Sequence, residues 1–276
     1  MKFAVLGSGS GGNAAVVDTP GGRLLVDAGL SAKQLVARMA ALGIAPESID
    51  AILLTHEHGD HIRGLDVLLR KYPIPVYTTP HTREALLRHV RGEVNWRLFE
   101  SGQDFTLPFC QVRAFSIPHD AVDPVGFVIR TEDASMGVLS DIGHVTAVVR
   151  ENLRGLDGLF VEANYDDAML EADSKRPWST KQRISSRHGH LSNLQVAELL
   201  GAIIHQRLRR VMLGHLSQDC NCPLLARSFI LAHLAAAGHP EPEILCATPD
   251  EPTAWMRLLP AAWIPLGGGV MQGQLF

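Results

Sequence analysis

The run Ile52-Leu53-Leu54-Thr55-His56-Glu57-His58-Gly59-Asp60-His61 constrains this chain more than any other. It crowds three imidazoles and a carboxylate into a short turn after a buried strand candidate. As a plain solvated turn these rings would repel one another once protonated, and they are hard to satisfy except with a cation. His56 and His58 alternate, so in an extended turn both rings can point to one ion. Asp60 and His61, on the helical start that follows, can face a second. Imidazole and carboxylate ligands suit zinc, manganese or iron rather than calcium. Four side chains cannot complete two sites, so further ligands must come from elsewhere.

The chain offers candidates at strand ends. His119 follows Phe115-Ser116-Ile117-Pro118, Asp141 follows the run Met136 to Ser140, and His215 follows Val211-Met212-Leu213-Gly214. Each comes directly after an apolar strand, where loops converge on a site. Any one alone reads as a loop residue. Beside the H-x-H-x-D-H run they read as the rest of a ligand set.

The beginning of the chain poses a different question. Gly7, Gly9 and Gly12 follow Phe3-Ala4-Val5-Leu6 in the pattern G-x-G-x-x-G, with Asp27 about where a ribose-binding acid belongs. That fingerprint requires a helix after the glycines. Instead comes the apolar stretch Ala14 to Thr19, the turn Pro20-Gly21-Gly22, then Arg23-Leu24-Leu25-Val26-Asp27. This is an antiparallel meander, and no nucleotide cofactor is expected. The loop still allows close backbone approach.

At 276 residues, 46% hydrophobic and 20% charged, the chain can bury a sizeable core. No linker or repeat divides it, so a single domain over 1–276 is expected, with a loosely ordered tail from about 260. No leader segment and no stretch of about 18 apolar residues is evident. The four cysteines are scattered and read as free thiols. A cytoplasmic protein without membrane contact is the expectation. The net charge of −4 does not advertise nucleic-acid binding, although local patches matter more than the total. One patch is visible: Lys175, Arg176, Lys181, Arg183 and Arg187, with Trp178 among them, lead straight to His190.

Periodicity places strands near 2–6, 14–18, 23–27, 51–54 and 76–77 in the first half. It places others at 97–99, 103–107, 110–117, 125–130, 135–140, 157–162, 209–213 and 243–247. Helices are predicted over 31–42, 62–70, 82–90, 144–153, 192–205 and 223–237, and the segment 166–190 reads as polar and irregular. Two sheets packed face to face, with helices outside, satisfy this order.

These residues resemble the metallo-β-lactamase superfamily of metallohydrolases. Asp27 in Leu-Leu-Val-Asp-Ala-Gly matches its first motif, and His56, His58, Asp60 and His61 match its second. His119, Asp141 and His215 match the third, fourth and fifth. The resemblance spans nearly the whole chain and implies an α/β (α+β) four-layer αββα sandwich with two divalent metal ions, zinc or manganese with iron as a further option. His56, His58 and His119 would hold one ion, Asp60, His61 and His215 the other, with Asp141 between them. Asp27 would orient the histidine loop.

A finer resemblance rests on GSGSGGN, SIPHDAVDPVGF, VEANYD, RISSRHGHLSN and LGHLSQDCN, which together are similar to the WalJ/YycJ-like branch. That branch is associated with 5′-to-3′ exonuclease activity on DNA. Residue by residue, His190 matches the catalytic histidine of the neighbouring tRNA-processing RNase Z enzymes, and Glu162 the acid behind it. Only 73 residues separate Asp141 from His215, which leaves little room for the large insertion of RNase J-type nucleases. The resemblance implies a metal-dependent phosphodiesterase in which a metal-bridging hydroxide is the nucleophile. His190, Glu162 and Asp60 are its catalytic groups. Its substrate is nucleic acid, DNA ahead of RNA, contacted by Ser8, Ser10, Asn13, Lys181 and Arg183. The alternative is a small-molecule metallohydrolase of the same fold, acting on a thioester, lactone or cyclic phosphodiester. It has no evident need for the basic run or for His190.

Overall fold

Most strands of this chain read as unbroken apolar runs because both of their faces are buried. The computed structural model describes residues 1–258, and the tail expected from about 260 lies outside the described residues. β1 (Lys2–Gly7), β2 (Ala14–Thr19) and β3 (Gly22–Val26) form the antiparallel meander. After α1 (Ala32–Ala41), β4 (Ala51–Leu53) joins β3 in parallel. Ser31 caps α1 in a reciprocal box with Gln34. α2 (Gly59–Ile62) and α3 (Leu65–Lys71) lead to β5 (Val76–Thr78), and α4 (Pro80–Leu86) to β6 (Trp96–Leu98). Both strands extend the sheet in parallel.

The second sheet repeats this plan. β7 (Asp104–Leu107), β8 (Cys110–Ser116), β9 (Val125–Arg130) and β10 (Ser135–Leu139) are antiparallel neighbours. α5 (Ala147–Asn152) crosses to β11 (Gly158–Glu162), which lies parallel to β10. Then come α6 (Asp167–Ala172), α7 (Trp178–Ile184) and α8 (Asn193–Ile203). β12 (Arg210–Gly214), α9 (Pro223–Ala236) and β13 (Glu243–Cys246) complete the sheet in parallel. β14 (Met256–Arg257) returns to pair antiparallel with β1.

Alternation along the strands builds the layers. Phe3, Val5, Val17, Leu24 and Leu53 meet Val112, Phe127, Met136, Phe160 and Met212 between the sheets. Leu6, Val16, Leu25 and Ile52 point the other way, onto Leu35 and Met39 of α1 and Leu65 and Leu68 of α3. Leu159, Val161, Val211 and Leu213 pack outward on Val149 of α5, Leu200 of α8 and Ile230 of α9. Each such side chain contributes about 1.5–3 kcal/mol on burial. The expected four-layer αββα sandwich is the observed one.

Three expectations are corrected. The helix predicted over 62–70 breaks between α2 and α3, because the chain at Leu30 crosses against Gly64. A Cβ on Gly64 would collide with the Leu30 carbonyl, and the Gly64 amide donates to the carbonyl of Ala28 at 2.8 Å. The segment read as irregular contains α6 and α7, which are short and mostly exposed and so carry no apolar periodicity. β14 was not expected at all: two residues give no pattern, and only pairing to β1 makes them a strand.

Candidate active site

Three non-glycine residues among those described have positive φ: Asp27 at 60°, Asp141 at 55° and His215 at 50°. Each follows the end of a strand, respectively β3, β10 and β12. Such backbone costs roughly 1–3 kcal/mol per residue and persists only where the surroundings dictate it. Here it turns three polar side chains inward at one edge of the sandwich, where all three are buried.

Asp27 organises the histidine loop. Its Oδ1 accepts from the Thr55 amide at 2.9 Å, and its Oδ2 accepts from Thr55 Oγ1 at 2.9 Å and His61 Nδ1 at 2.8 Å. Thr55 Oγ1 gives its proton to Asp27, so it accepts from His56 Nδ1, also 2.9 Å away. Nδ1 of both rings is thereby committed as a donor, which leaves Nε2 as the atom turned into the cluster. His61 Nε2 lies 2.9 Å from Asp141 Oδ2.

The glycine loop supports the same structure by backbone contact. The Asn13 amide donates to the Asp60 carbonyl at 2.7 Å, Gly29 to Asn13 at 2.9 Å, and Ala28 to His61 at 2.8 Å. A Cβ on Gly29 would sit on the carbonyl of Asp60, and one on Gly12 would press against Gly29. Gly29→Ala is therefore expected to cost about 1–3 kcal/mol through overpacking, read as a lowered unfolding temperature. Gly11→Ala, where a Cβ meets nothing within 4 Å, is the neutral control.

The sequence-assigned ligands converge. One ligand atom each from His56, His58 and His119 lie within 4.8 Å of one another, and so do those of Asp60, His61 and His215. His56, His61 and Asp141 form a third such group, which places Asp141 between the first two. His119 Nε2 is 3.3 Å from His58 Nδ1, while its Nδ1 faces the Gly189 carbonyl at 3.2 Å. His56 Nε2 and His215 Nε2 are buried without any hydrogen-bond partner. Buried polar atoms are almost always partnered. Two orphaned imidazole nitrogens among carboxylates fit a bound divalent cation.

The electrostatics point the same way. Burial, followed by the charge of His61, pushes the His56 imidazolium well below its usual range, so its neutral, ligating form is favoured. Burial alone would raise the Asp141 carboxyl, but His215 and His61 hold it well below the carboxylate range. Burial acts to lower His61 and His215. Asp141 and Asp27 outweigh it for His61 and raise it well above the usual value. The charge of Asp141, with the carboxylates of Asp60 and Glu162 close by, raises His215 to about 10.

A second unit stands beside this cluster. Glu162, at the end of β11, is fully buried. Its Oε1 accepts from the amides of Ile142 at 2.7 Å and Leu191 at 3.1 Å, and its Oε2 accepts from His190 Nδ1 at 3.0 Å. Burial raises this carboxyl, and His190 more than reverses the shift. The His190 side chain is 19% exposed, with its ring centroid 5.0 Å from that of His215 and 5.5 Å from that of His119.

Other assigned residues have different tasks here. Ser8 Oγ donates to Asn13 Oδ1 at 2.9 Å and accepts from the His215 amide at 2.8 Å. Asn13 Nδ2 donates towards Asp60 Oδ2 at 3.3 Å. Ser8 and Asn13 are buried framework linking the two sheets, not groups turned towards a substrate phosphate. Ser10 is exposed on the loop. Lys181 Nζ donates to the Glu171 carbonyl at 2.8 Å, and Arg183 pairs with Asp120 at 2.6 Å. Neither is the free cation that the basic run suggested. Sequence reasoning missed Thr55 and Asn164, whose amide donates to the His215 carbonyl at 2.9 Å. Asn164 stands two residues after Glu162 in the quoted VEANYD, which was the available signal.

The β-lactamase superfamily domain matches residues 22–216. An exodeoxyribonuclease WalJ of Streptococcus pneumoniae is 38% identical over 241 residues, covering 86% of this chain and 89% of that one. An exodeoxyribonuclease YycJ of Bacillus anthracis is 35% identical, with 86% and 90% covered. The chain belongs to the WalJ/YycJ family of the metallo-β-lactamase superfamily. The fold agrees: the metallo-β-lactamase fold protein YhfI of Bacillus subtilis superposes with a TM-score of 0.70 at 16% identity, covering 91% of this chain and 98% of that one. As a WalJ/YycJ family member with these histidine and carboxylate groups, it is a metal-dependent hydrolase that uses divalent metal. Among the described residues, no helix is long and apolar enough to cross a membrane.

Proposed function

We propose that this chain is a two-metal 5′-to-3′ exonuclease acting on DNA. The observation that carries the reading is the pair formed by buried Glu162 and partly exposed His190 beside the histidine–carboxylate cluster. The WalJ and YycJ relatives, whose names state exodeoxyribonuclease, support the substrate class. In this reading His56, His58 and His119 would hold one ion and Asp60, His61 and His215 the other, with Asp141 available to both. Zinc or manganese suits that donor set. Bound there, two divalent ions supply an activated water and stabilise both the attacking and the leaving oxygen of an in-line displacement.

The chain's own residues do the rest. Asp27 and Thr55 fix the rings of His61 and His56. Glu162 accepts from His190 Nδ1, which leaves Nε2 to face the substrate. His190 Nε2–H donates its proton to the leaving oxygen as the phosphorus–oxygen bond breaks. Positioning the acid in this way requires a buried carboxylate with its second oxygen already committed, which the Ile142 and Leu191 amides provide.

The deciding assay is degradation of 5′-phosphorylated single-stranded DNA, with the label placed at either end. The expected result is immediate release of a labelled mononucleotide from the 5′ end, abolished by a chelator and restored by manganese or zinc. Turnover of a lactone or thioester with no strand degradation in any divalent metal would instead establish the small-molecule reading.

Metal loading should also release protons. His61 and His215 are held protonated at neutral pH, His215 up to about 10. An ion taking Nε2 must displace those protons, so apparent affinity should climb with pH by about tenfold per unit for each proton displaced. Calorimetry of the metal-free protein in two buffers of different ionisation heat measures the release. A buffer-independent heat would contradict it.

A further inference from the structure

The basic run leading to His190 contains one cation that stands apart from the rest. Lys175 pairs with Asp219, Arg176 with Asp173 and Asp219, and Arg183 with Asp120. Lys181 is spent on a backbone carbonyl. Among the described residues, Arg187 has no carboxylate partner within ion-pair distance. Its Nη2 donates to His144 Nε2 at 3.0 Å, and His144 Nδ1 donates back to the Arg187 carbonyl at 2.9 Å. Those two bonds fix one arrangement. Nδ1 is the donor and Nε2 the acceptor of the His144 ring. The ring thus holds the guanidinium still without cancelling its charge, and leaves most of its five N–H donors unspent.

The position is as informative as the charge. His144 lies three residues beyond Asp141, and Arg187 three residues before His190. Gly143 brings the two loops together, since a Cβ there would collide with the Arg187–His188 backbone. The Asp120 amide, next to His119, donates to the His188 carbonyl at 3.1 Å. An exposed guanidinium without a carboxylate partner therefore stands where the loops that carry His119, Asp141 and His190 meet.

We propose that Arg187, held by His144, binds a phosphate of the strand beside the scissile bond. Guanidinium matches phosphate geometry with two parallel N–H donors. The phosphate belongs either to the 5′ end of the strand or to an internal linkage. His144 is a positioning residue in this arrangement. The proposal rests on the nuclease reading above.

The test is steady-state degradation of single-stranded DNA by the metal-loaded full chain, over a range of salt. Arg187→Gln should raise KM about tenfold with kcat changed less than about twofold, and flatten the log–log salt dependence of kcat/KM by about 0.7. Arg187→Lys should recover part of the loss, and His144→Gln should raise KM in the same direction. Lys175→Gln, which removes an exposed cation already paired with Asp219, should move neither KM nor the slope. A KM effect confined to 5′-phosphorylated strands assigns the end phosphate, and an equal effect on 5′-hydroxyl strands assigns an internal one. Wild-type degradation with an Arg187→Gln enzyme of unchanged KM and salt slope overturns this inference alone. A wild-type protein that degrades no strand overturns the nuclease reading and this inference with it. Arg187 is exposed, so unchanged unfolding temperatures are expected for its variants.

Discussion

His190→Ala should lower turnover by about 10²- to 10⁴-fold, the usual contribution of a positioned general acid, while leaving bound metal at the wild-type level. The separation of those two readouts follows from geometry. His190 is bonded through Nδ1 to Glu162, and its ring is partly exposed where the orphaned nitrogens of His56 and His215 are buried. The same ring also lies close enough to Asp141 and His215 to join a four-residue group with Glu162. Metal analysis of the variant therefore discriminates between two roles. Lost turnover with full metal content makes His190 the proton donor. Lost metal in proportion to lost turnover makes it part of the ligand shell. Unchanged turnover removes it from the mechanism. Glu162→Gln should follow the first pattern part of the way, because the amide oxygen keeps the acceptor for both Ile142 and Leu191 but the charge that faces His190 is removed.

Most strands were legible in the sequence because both of their faces are buried, so their runs are apolar, and the histidine loop was legible from its crowded ligand residues. Val125 to Ile129 and Met136 to Leu139 could hardly be anything else. What the sequence hid was decided by distant neighbours. Gly64 breaks a helix only because Leu30 passes against it. The positive φ at Asp27, Asp141 and His215 has no local signature, since none is a glycine and the strain is held by the packed strand ends. Ser8 and Asn13, short polar residues among glycines, read as groups facing a ligand. They turn inward because the His215 amide and Asp60 need partners there. Arg183 read as a free cation because its partner, Asp120, is 63 residues away.

Asp27→Asn should weaken one metal site far more than it weakens the fold. The carboxylate accepts from three donors, two on Thr55 and one on His61. An amide of the same shape keeps one oxygen for the Thr55 amide and adopts the left-handed backbone at this position readily. Its nitrogen then faces His61 Nδ1, and two donors cannot share that contact. His61 must switch tautomer, placing its hydrogen on Nε2, the atom now turned towards Asp141. Loss of such an orienting carboxylate typically costs 10- to 100-fold in metal affinity, and the larger loss should fall on the ion that the proposed assignment places on Asp60, His61 and His215, because His56 reaches Asp27 only through Thr55. Asp27→Ala adds a stability loss of about 3–5 kcal/mol, because the donors on Thr55 and His61 are left buried without an acceptor. Calorimetric titration of the metal-free Asn variant should therefore show one strong and one weakened binding event at a near wild-type unfolding temperature. Two events of wild-type strength would mean that Asp27 does not set the His61 tautomer.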